Sequence, residues 1–245
     1  MNPAYAVNAF LGRHNFMASG ADVNTVINTI LYDIEEGLLK DPLTPPEQGP
    51  SLDMIPTWAV PPASSPKSKS VIVIDAGGTN FRSCLVTFDE NGTPSISDMK
   101  KTAMPATDRE YSKKEFFDTI ASFLDHLKDK ASRIGFCFSY AMSITPDGDG
   151  KVIQFSKEIK AKEVIGSLVG ANLSEALVAR GWKKPEKIVL LNDTTAALLA
   201  GASAATNGKA YDSYVGFILG TGMNAAYIES GNIGKIKSSS VPVPA

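Results

Sequence analysis

An α/β fold is expected from three features of this chain. Short apolar runs rich in β-branched residues, Val71-Ile72-Val73-Ile74 foremost, alternate with stretches of helical period. That first run drives straight into an acidic residue and a glycine turn, Asp75-Ala76-Gly77-Gly78-Thr79-Asn80-Phe81-Arg82. A second strand, from Tyr214 to Leu219, ends in the same way on Gly220-Thr221-Gly222. Hydrophobic residues at 43% and charged residues at 20% of 245 supply enough core for one large or two small domains. A net charge of −2 with no long basic block argues against nucleic acid as the main partner. Cys84 and Cys137 lie in apolar strand-like runs and read as core thiols, and two histidines, His14 and His126, are too few for a His-rich metal site. Neither a secretory signal nor an apolar stretch near the ~20 residues of a membrane span is visible, so a cytoplasmic protein without a membrane partner is expected.

Taken in order, residues 1 to about 20 carry no strong period. Asp22 then stands before Val23, Val26, Ile27, Ile30, Leu31, Ile34 and Leu38, which predicts an amphipathic helix with an acidic cap. Residues 41–69 hold eight prolines and several serines and read as an extended connector, within which Trp58 packs against the body. The run at 71–74, with Asp75 at its end, reads as a strand buried on both faces. Residues 83–88 form a second strand, Asp89-Glu90-Asn91-Gly92 its turn, and residues 95–103 a third strand. Ser112-Lys113-Lys114-Glu115 has the form of a capping box and opens a helix through Phe116, Phe117, Ile120, Phe123, Leu124 and Leu127, with His126 on its surface. A strand at 133–139, a helix at 173–180 closed by Gly181 and a strand at 187–191 follow, and Asn192-Asp193-Thr194-Thr195 leads into an Ala/Leu-rich helix. Three strands, helix, strand, helix, strand, helix is the order of a ribonuclease-H-like unit, here over residues 66–195.

Two of these segments carry chemistry. Gly77-Gly78 permits a tight turn whose N–H groups form a concavity suited to phosphate oxygens, with Thr79 and Asn80 adding side-chain donors. Asp75 beside it could hold Mg²⁺, which is usually bound by one or two carboxylates together with phosphates. Alone, the same residues serve equally as a hairpin turn, and the spacing is neither that of a Walker loop nor of a Rossmann fingerprint. Asp193, read alone, is an N-cap, and Gly220-Thr221-Gly222 alone is a tight turn.

Together these segments resemble the hexokinase family, within the sugar-kinase, actin and Hsp70-like ATPase superfamily. Asp-x-Gly-Gly-Thr-Asn-Phe-Arg is similar to its first phosphate loop, Asn192-Asp193-Thr194 to its catalytic segment, and Phe136-Cys137-Phe138-Ser139-Tyr140-Ala141 to its F-x-F-S-F-P loop, with Ala141 in place of proline. Gln154-Phe155-Ser156-Lys157-Glu158-Ile159-Lys160-Ala161 resembles W-T-K-G-F-K-A more weakly, and Lys157 has an even claim to be one of several solvated charges. The resemblance implies an actin-like ATPase small lobe with a partial second lobe: residues 1–65 and 196–245 belong to the large lobe and 66–195 to the small one. It implies ATP and Mg²⁺, with Asp75, Gly77, Gly78, Thr79, Asn80, Arg82, Gly220, Thr221 and Gly222 on the phosphates and Asp75 on the metal. It implies a hexose, glucose first, on Ser139, Ser156, Lys157, Asn192, Asp193 and Asn224, with Asp193 as general base for transfer to the 6-hydroxyl. It further implies a fragment of a longer enzyme. A sugar-binding regulator of the same fold is the alternative.

Overall fold

The computed structural model describes residues 3–13, 23–39, 52, 54–59, 66–155, 159–203, 211–219 and 223–229. These fall into two compact units, one within residues 1–55 and the other within 56–230.

The first unit holds helices α1 (Pro3–Arg13) and α2 (Val23–Leu39). α1 was not expected, because its apolar residues follow no stripe, and Tyr5, Val7 and Phe10 lie half or more exposed. α2 lies where the 3.6-residue period puts it. Its apolar residues Val23, Ile27, Ile30 and Leu31 are nonetheless exposed, while Gly37 is buried beneath the Leu52 carbonyl, where a Cβ would collide.

The second unit is built on a five-stranded sheet in the order β3-β2-β1-β4-β7. β1 (Lys69–Ala76), β2 (Asn80–Phe88) and β3 (Pro94–Ala103) form an antiparallel meander. β4 (Arg133–Phe138) and β7 (Lys187–Leu191) then add parallel to β1. Such parallel pairing requires long crossovers. The first runs from β3 through α3 (Lys113–Phe123) to β4, and the second from β4 through α4 (Val169–Ala179) to β7. β1 differs from the sequence expectation: Ile72, Ile74 and Ala76 are fully buried, whereas Val71, Val73 and Asp75 on the other face are only half-buried. The main core lies on the first face, where Phe116, Ile120, Leu173 and Leu177 of the two crossover helices join Phe136, Phe138 and Leu190. Trp58 packs against this core and donates Nε1–H to the Ile144 carbonyl at 3.2 Å.

The helix starts separate local from distant capping. At α3, Ser112 Oγ accepts the Glu115 N–H at 3.2 Å, half of a capping box; the Glu115 carboxylate pairs with Arg109 instead of reaching back. α4 begins at Val169, earlier than the sequence period indicates, and Leu168 offers no side-chain cap. The orphan N–H groups of Gly170 and Ala171 are taken by the Asp149 carboxylate, at 2.6 and 2.9 Å. Asp149 sits at the turn of a hairpin absent from the sequence reading, β5 (Ala141–Ile144) with β6 (Gly150–Gln154). His126 lies in a single 3₁₀ turn after α3, with Nε2 3.0 Å from the Asp98 carbonyl. Among the described residues, no helix is long and apolar enough to cross a membrane.

After β7, α5 (Asp193–Ser203) leads to the antiparallel pair β8 (Val215–Leu219) and β9 (Met223–Tyr227). β8 approaches α5 so closely that a Cβ at Gly216 would stand 2.6 Å from the Thr194 carbonyl and 2.9 Å from the Leu198 nitrogen. Glycine is required there because the obstacle is backbone, which cannot move aside.

Candidate active site at the carboxyl ends of the parallel strands

The register brings three strand ends level. Asp75 pairs with Cys137, Cys137 with Leu191, and Ala76 with Phe138. The segments that leave the sheet together are therefore Gly77-Gly78-Thr79, Ser139-Tyr140 and Asn192-Asp193. In open sheets with parallel strands, ligands bind outside these carboxyl ends.

Asp75 faces Arg82 across the β1–β2 ladder, and Arg82 Nη1 donates to Asp75 Oδ2 at 2.6 Å. The two side chains are 40% and 44% exposed. One carboxylate oxygen is thus engaged by a cation. Among the described residues, no three His, Cys, Asp or Glu side chains cluster to make a metal cage. A single carboxylate fits Mg²⁺ held mainly by phosphates and water, and not a stand-alone metal centre.

The glycine turn is more committed than its sequence suggests. Gly77 N–H, expected to point outward, instead donates to the Asn80 carbonyl at 3.0 Å and closes the hairpin. Gly77 is also not in the left-handed region, and a Cβ on it would meet only the Asn80 oxygen, at 3.9 Å. Thr79 Oγ1 accepts from Asn80 Nδ2 at 3.0 Å, and the Thr79 carbonyl accepts the Met104 N–H at 3.0 Å. The loop after β4 is stitched to β1 by the Ser139 N–H, which donates to the Ala76 carbonyl at 3.1 Å, and by the Tyr140 hydroxyl, which donates to the Gly77 carbonyl at 2.8 Å.

At the start of α5 the cap is Asn192, not Asp193. The Asn192 carbonyl accepts the Ala196 N–H at 2.9 Å, and its Oδ1 accepts the Thr194 N–H at 3.0 Å. Asp193 is the first helical residue, and its Oδ1 also accepts the Thr194 N–H, at 2.8 Å. Thr194 is 1% exposed, so this end of the helix is anchored in the core. From β9, Asn224 Nδ2 donates to Asn192 Oδ1 at 3.0 Å. Asn192, Asp193 and Asn224 thus form one group. Ser156, Lys157, Gly220, Thr221 and Gly222 lie outside the described residues.

Cys137 reports on what faces this point. Burial raises its thiol first, and the charges of Asp75 and Asp193 raise it further, from 9.0 to about 12. Both carboxylates therefore raise one half-buried thiol, with the Ser139 hydroxyl as a counteracting hydrogen-bond partner. The sequence marked Cys137 only as a core thiol; strand register alone would have placed it between the two acids. At pH 8 a thiol titrating at about 12 is only ~10⁻⁴ ionised, against roughly a quarter for a free cysteine. Iodoacetamide at pH 8 is accordingly expected to leave Cys137 and the buried Cys84 unmodified in the folded protein and to label both in urea. Mass spectrometry reads the outcome, and labelling of folded Cys137 within minutes would contradict the assignment. The sign for stability follows. A group raised on folding contributes fully below its unfolded value and loses that contribution as pH climbs from about 9 towards 12.

The chain is similar in sequence and fold to known proteins. A hexokinase family model matches residues 12–203. The chain is 29% identical over 214 residues to Hexokinase-1 of Schizosaccharomyces pombe, covering 84% of this chain and 42% of the relative. It is 30% identical over 210 residues to Glucokinase-1 of Kluyveromyces lactis, covering 79% and 44%. Among solved structures, a hexokinase from Schistosoma mansoni complexed with glucose superposes with a TM-score of 0.72 at 26% identity, covering 91% of this chain and 50% of that one. The chain thus spans about half the length of the relatives it matches. With the matched region taking in the whole five-stranded sheet and the Asn192-Asp193 helix start, this chain belongs to the hexokinase family.

Proposed function

We propose that this chain forms the sugar- and phosphate-binding part of an ATP-dependent hexose kinase that transfers the terminal phosphoryl group to the 6-hydroxyl of glucose. Residues 66–195 are its small lobe, and residues 1–65 and 196–245 belong to the second lobe. The observation that carries the reading is the strand register, which levels Asp75, Cys137 and Leu191 so that the Gly77-Gly78 turn, Ser139 and Asn192-Asp193 leave the same end of the sheet. One carboxylate serves the phosphate side and the other the sugar side.

Asp193 accepts the proton of the sugar hydroxyl as its oxygen bonds to phosphorus and the bond from phosphorus to the ADP oxygen breaks. It stands as the first residue of α5. Asn192, Asn224 and Ser139 orient the sugar, joined by Ser156 and Lys157. Gly78, Thr79, Asn80 and Arg82 receive the phosphates from one side, in a turn framed by Asp75 and Gly77, and Gly220, Thr221 and Gly222 from the other. Mg²⁺, when bound, neutralises phosphate charge, and Asp75 is the residue that would hold it through its water shell. Closure over the sugar would exclude water from the reaction. The two free cysteines fit a reducing compartment, and we assign the cytoplasm.

The test is calorimetry with glucose beside a coupled ADP-release assay on the intact protein with Mg²⁺ and ATP. Glucose-dependent ADP release is expected. Glucose binding without release would leave a sugar sensor of the same fold, and ATP hydrolysis indifferent to glucose would overturn the reading.

A further inference from the structure

Tyr140 supplies the glycine turn with something the turn lacks by itself. The residue is 2% exposed, its ring held against Phe138 at 4.8 Å and Phe155 at 5.1 Å between centroids. Its hydroxyl donates to the Gly77 carbonyl at 2.8 Å. Burial raises the phenol above its ordinary range, so it stays a protonated donor at working pH.

The acceptor is the informative part. The Gly77 carbonyl belongs to the Gly77–Gly78 peptide, which is planar and trans, so its C=O and N–H point in opposite directions. With the carbonyl drawn towards the buried Tyr140, the Gly78 N–H must point away from it. Gly77's own N–H is already spent on Asn80, and among the described residues none accepts from Gly78 N–H. A Gly–Gly pair has no Cβ to oppose rotation of the peptide between them. A flipped peptide would turn an oxygen outward and repel an anion.

We propose that Tyr140 is a positioning residue for the phosphate donor, its hydroxyl locking the Gly77–Gly78 peptide so that the Gly78 N–H faces the phosphate oxygens. This rests on the reading that the turn receives a phosphate. The family loop that this segment resembles has phenylalanine and then proline, where this chain has Tyr140 and Ala141. The hydroxyl restores a tether at the place where the rigid ring of proline is missing.

Tyr140→Phe in the intact protein keeps the ring and removes only the hydroxyl. Loss of one such bond is worth roughly 2–10-fold. The KM and Kd for Mg²⁺-ATP should rise by that factor, with the glucose Kd unchanged. In ¹⁵N-glycine-labelled protein, inorganic tripolyphosphate should shift the Gly78 amide resonance in the parent and much less in the variant. Equal ATP affinity and an equal Gly78 response in the two proteins would overturn the lock while leaving the kinase reading intact. A matched loss of glucose and ATP affinity together with melting temperature would reduce Tyr140 to a packing residue and also overturn it. A parent protein whose Gly78 amide ignores tripolyphosphate would remove both this proposal and the phosphate role of the turn.

Discussion

Asp193→Ala is expected to lower turnover of the intact protein by ~10²–10⁴-fold, the range a positioned base supplies, and to leave glucose affinity nearly unchanged. The helix start makes the experiment clean. Asp193 is not the cap: the Thr194 N–H that it receives has a second acceptor in Asn192 Oδ1 at 3.0 Å, and the Asn192 carbonyl opens the helix. Losing the Asp193 carboxylate therefore leaves the Thr194 N–H with an acceptor and strands only the Thr194 hydroxyl, now 3.3 Å from Asp193 Oδ1, so the melting temperature should fall only slightly. Asp193→Asn is the sharper companion, since it keeps an oxygen for Thr194 and loses only basicity. Asn192→Ala should behave in the opposite manner. It removes a group that orients the sugar and frees Asn224 from its bridge to the helix, so glucose affinity should fall. The Thr194 N–H keeps Asp193 Oδ1 at 2.8 Å, so any stability loss should stay below the ~1 kcal/mol of a full cap. Wild-type turnover in Asp193→Ala would end the base assignment; a large drop in melting temperature would show that the residue is structural.

The largest stability effect is expected at Phe138→Ala. Phe138 is fully buried at the last position of β4 and packs on Phe136, Tyr140 and Phe155 at 5.2, 4.8 and 6.3 Å between ring centroids. Truncating such a ring removes its transfer energy and leaves a cavity, about 3–5 kcal/mol in total. Against a whole-domain stability of about 5–15 kcal/mol that is a large share. For a chain of this length the melting temperature should fall by roughly 6–20 °C. Ile96→Ala on the exposed edge strand β3 is the control, because Ile96 is 64% exposed and surface changes usually stay within ~0.5 kcal/mol. Similar melting curves for the two variants would mean that the aromatic cluster is not the core of this unit.

Most of the sheet was legible in the sequence because its signals are local. An apolar β-branched run, a glycine turn and a returning strand specify β1 and β2 within twenty residues, and Ser112 marks the start of α3 within one turn. The 3.6-residue period gave α2 although its stripe is exposed in the described unit. The start of α4 was not legible, because its cap is a carboxylate 21 residues earlier, on a hairpin that exists only once it packs against the sheet. The same holds for Cys137, whose neighbours Asp75 and Asp193 are 62 and 56 positions away in the chain.

By itself, the sequence determined the five strands of the main sheet and most of the helices, though not α1 or the β5–β6 hairpin, since period, β-branching and glycine act over a few residues. Only the tertiary structure decided that Asn192 rather than Asp193 caps α5, that Gly77 spends its N–H on its own hairpin, and that Tyr140 holds the Gly77 carbonyl. The first two are competitions among donors and acceptors a few residues apart, decided by backbone geometry that residue types alone do not display, and the third needs parallel strand register to bring Tyr140 and Gly77 together across 63 positions.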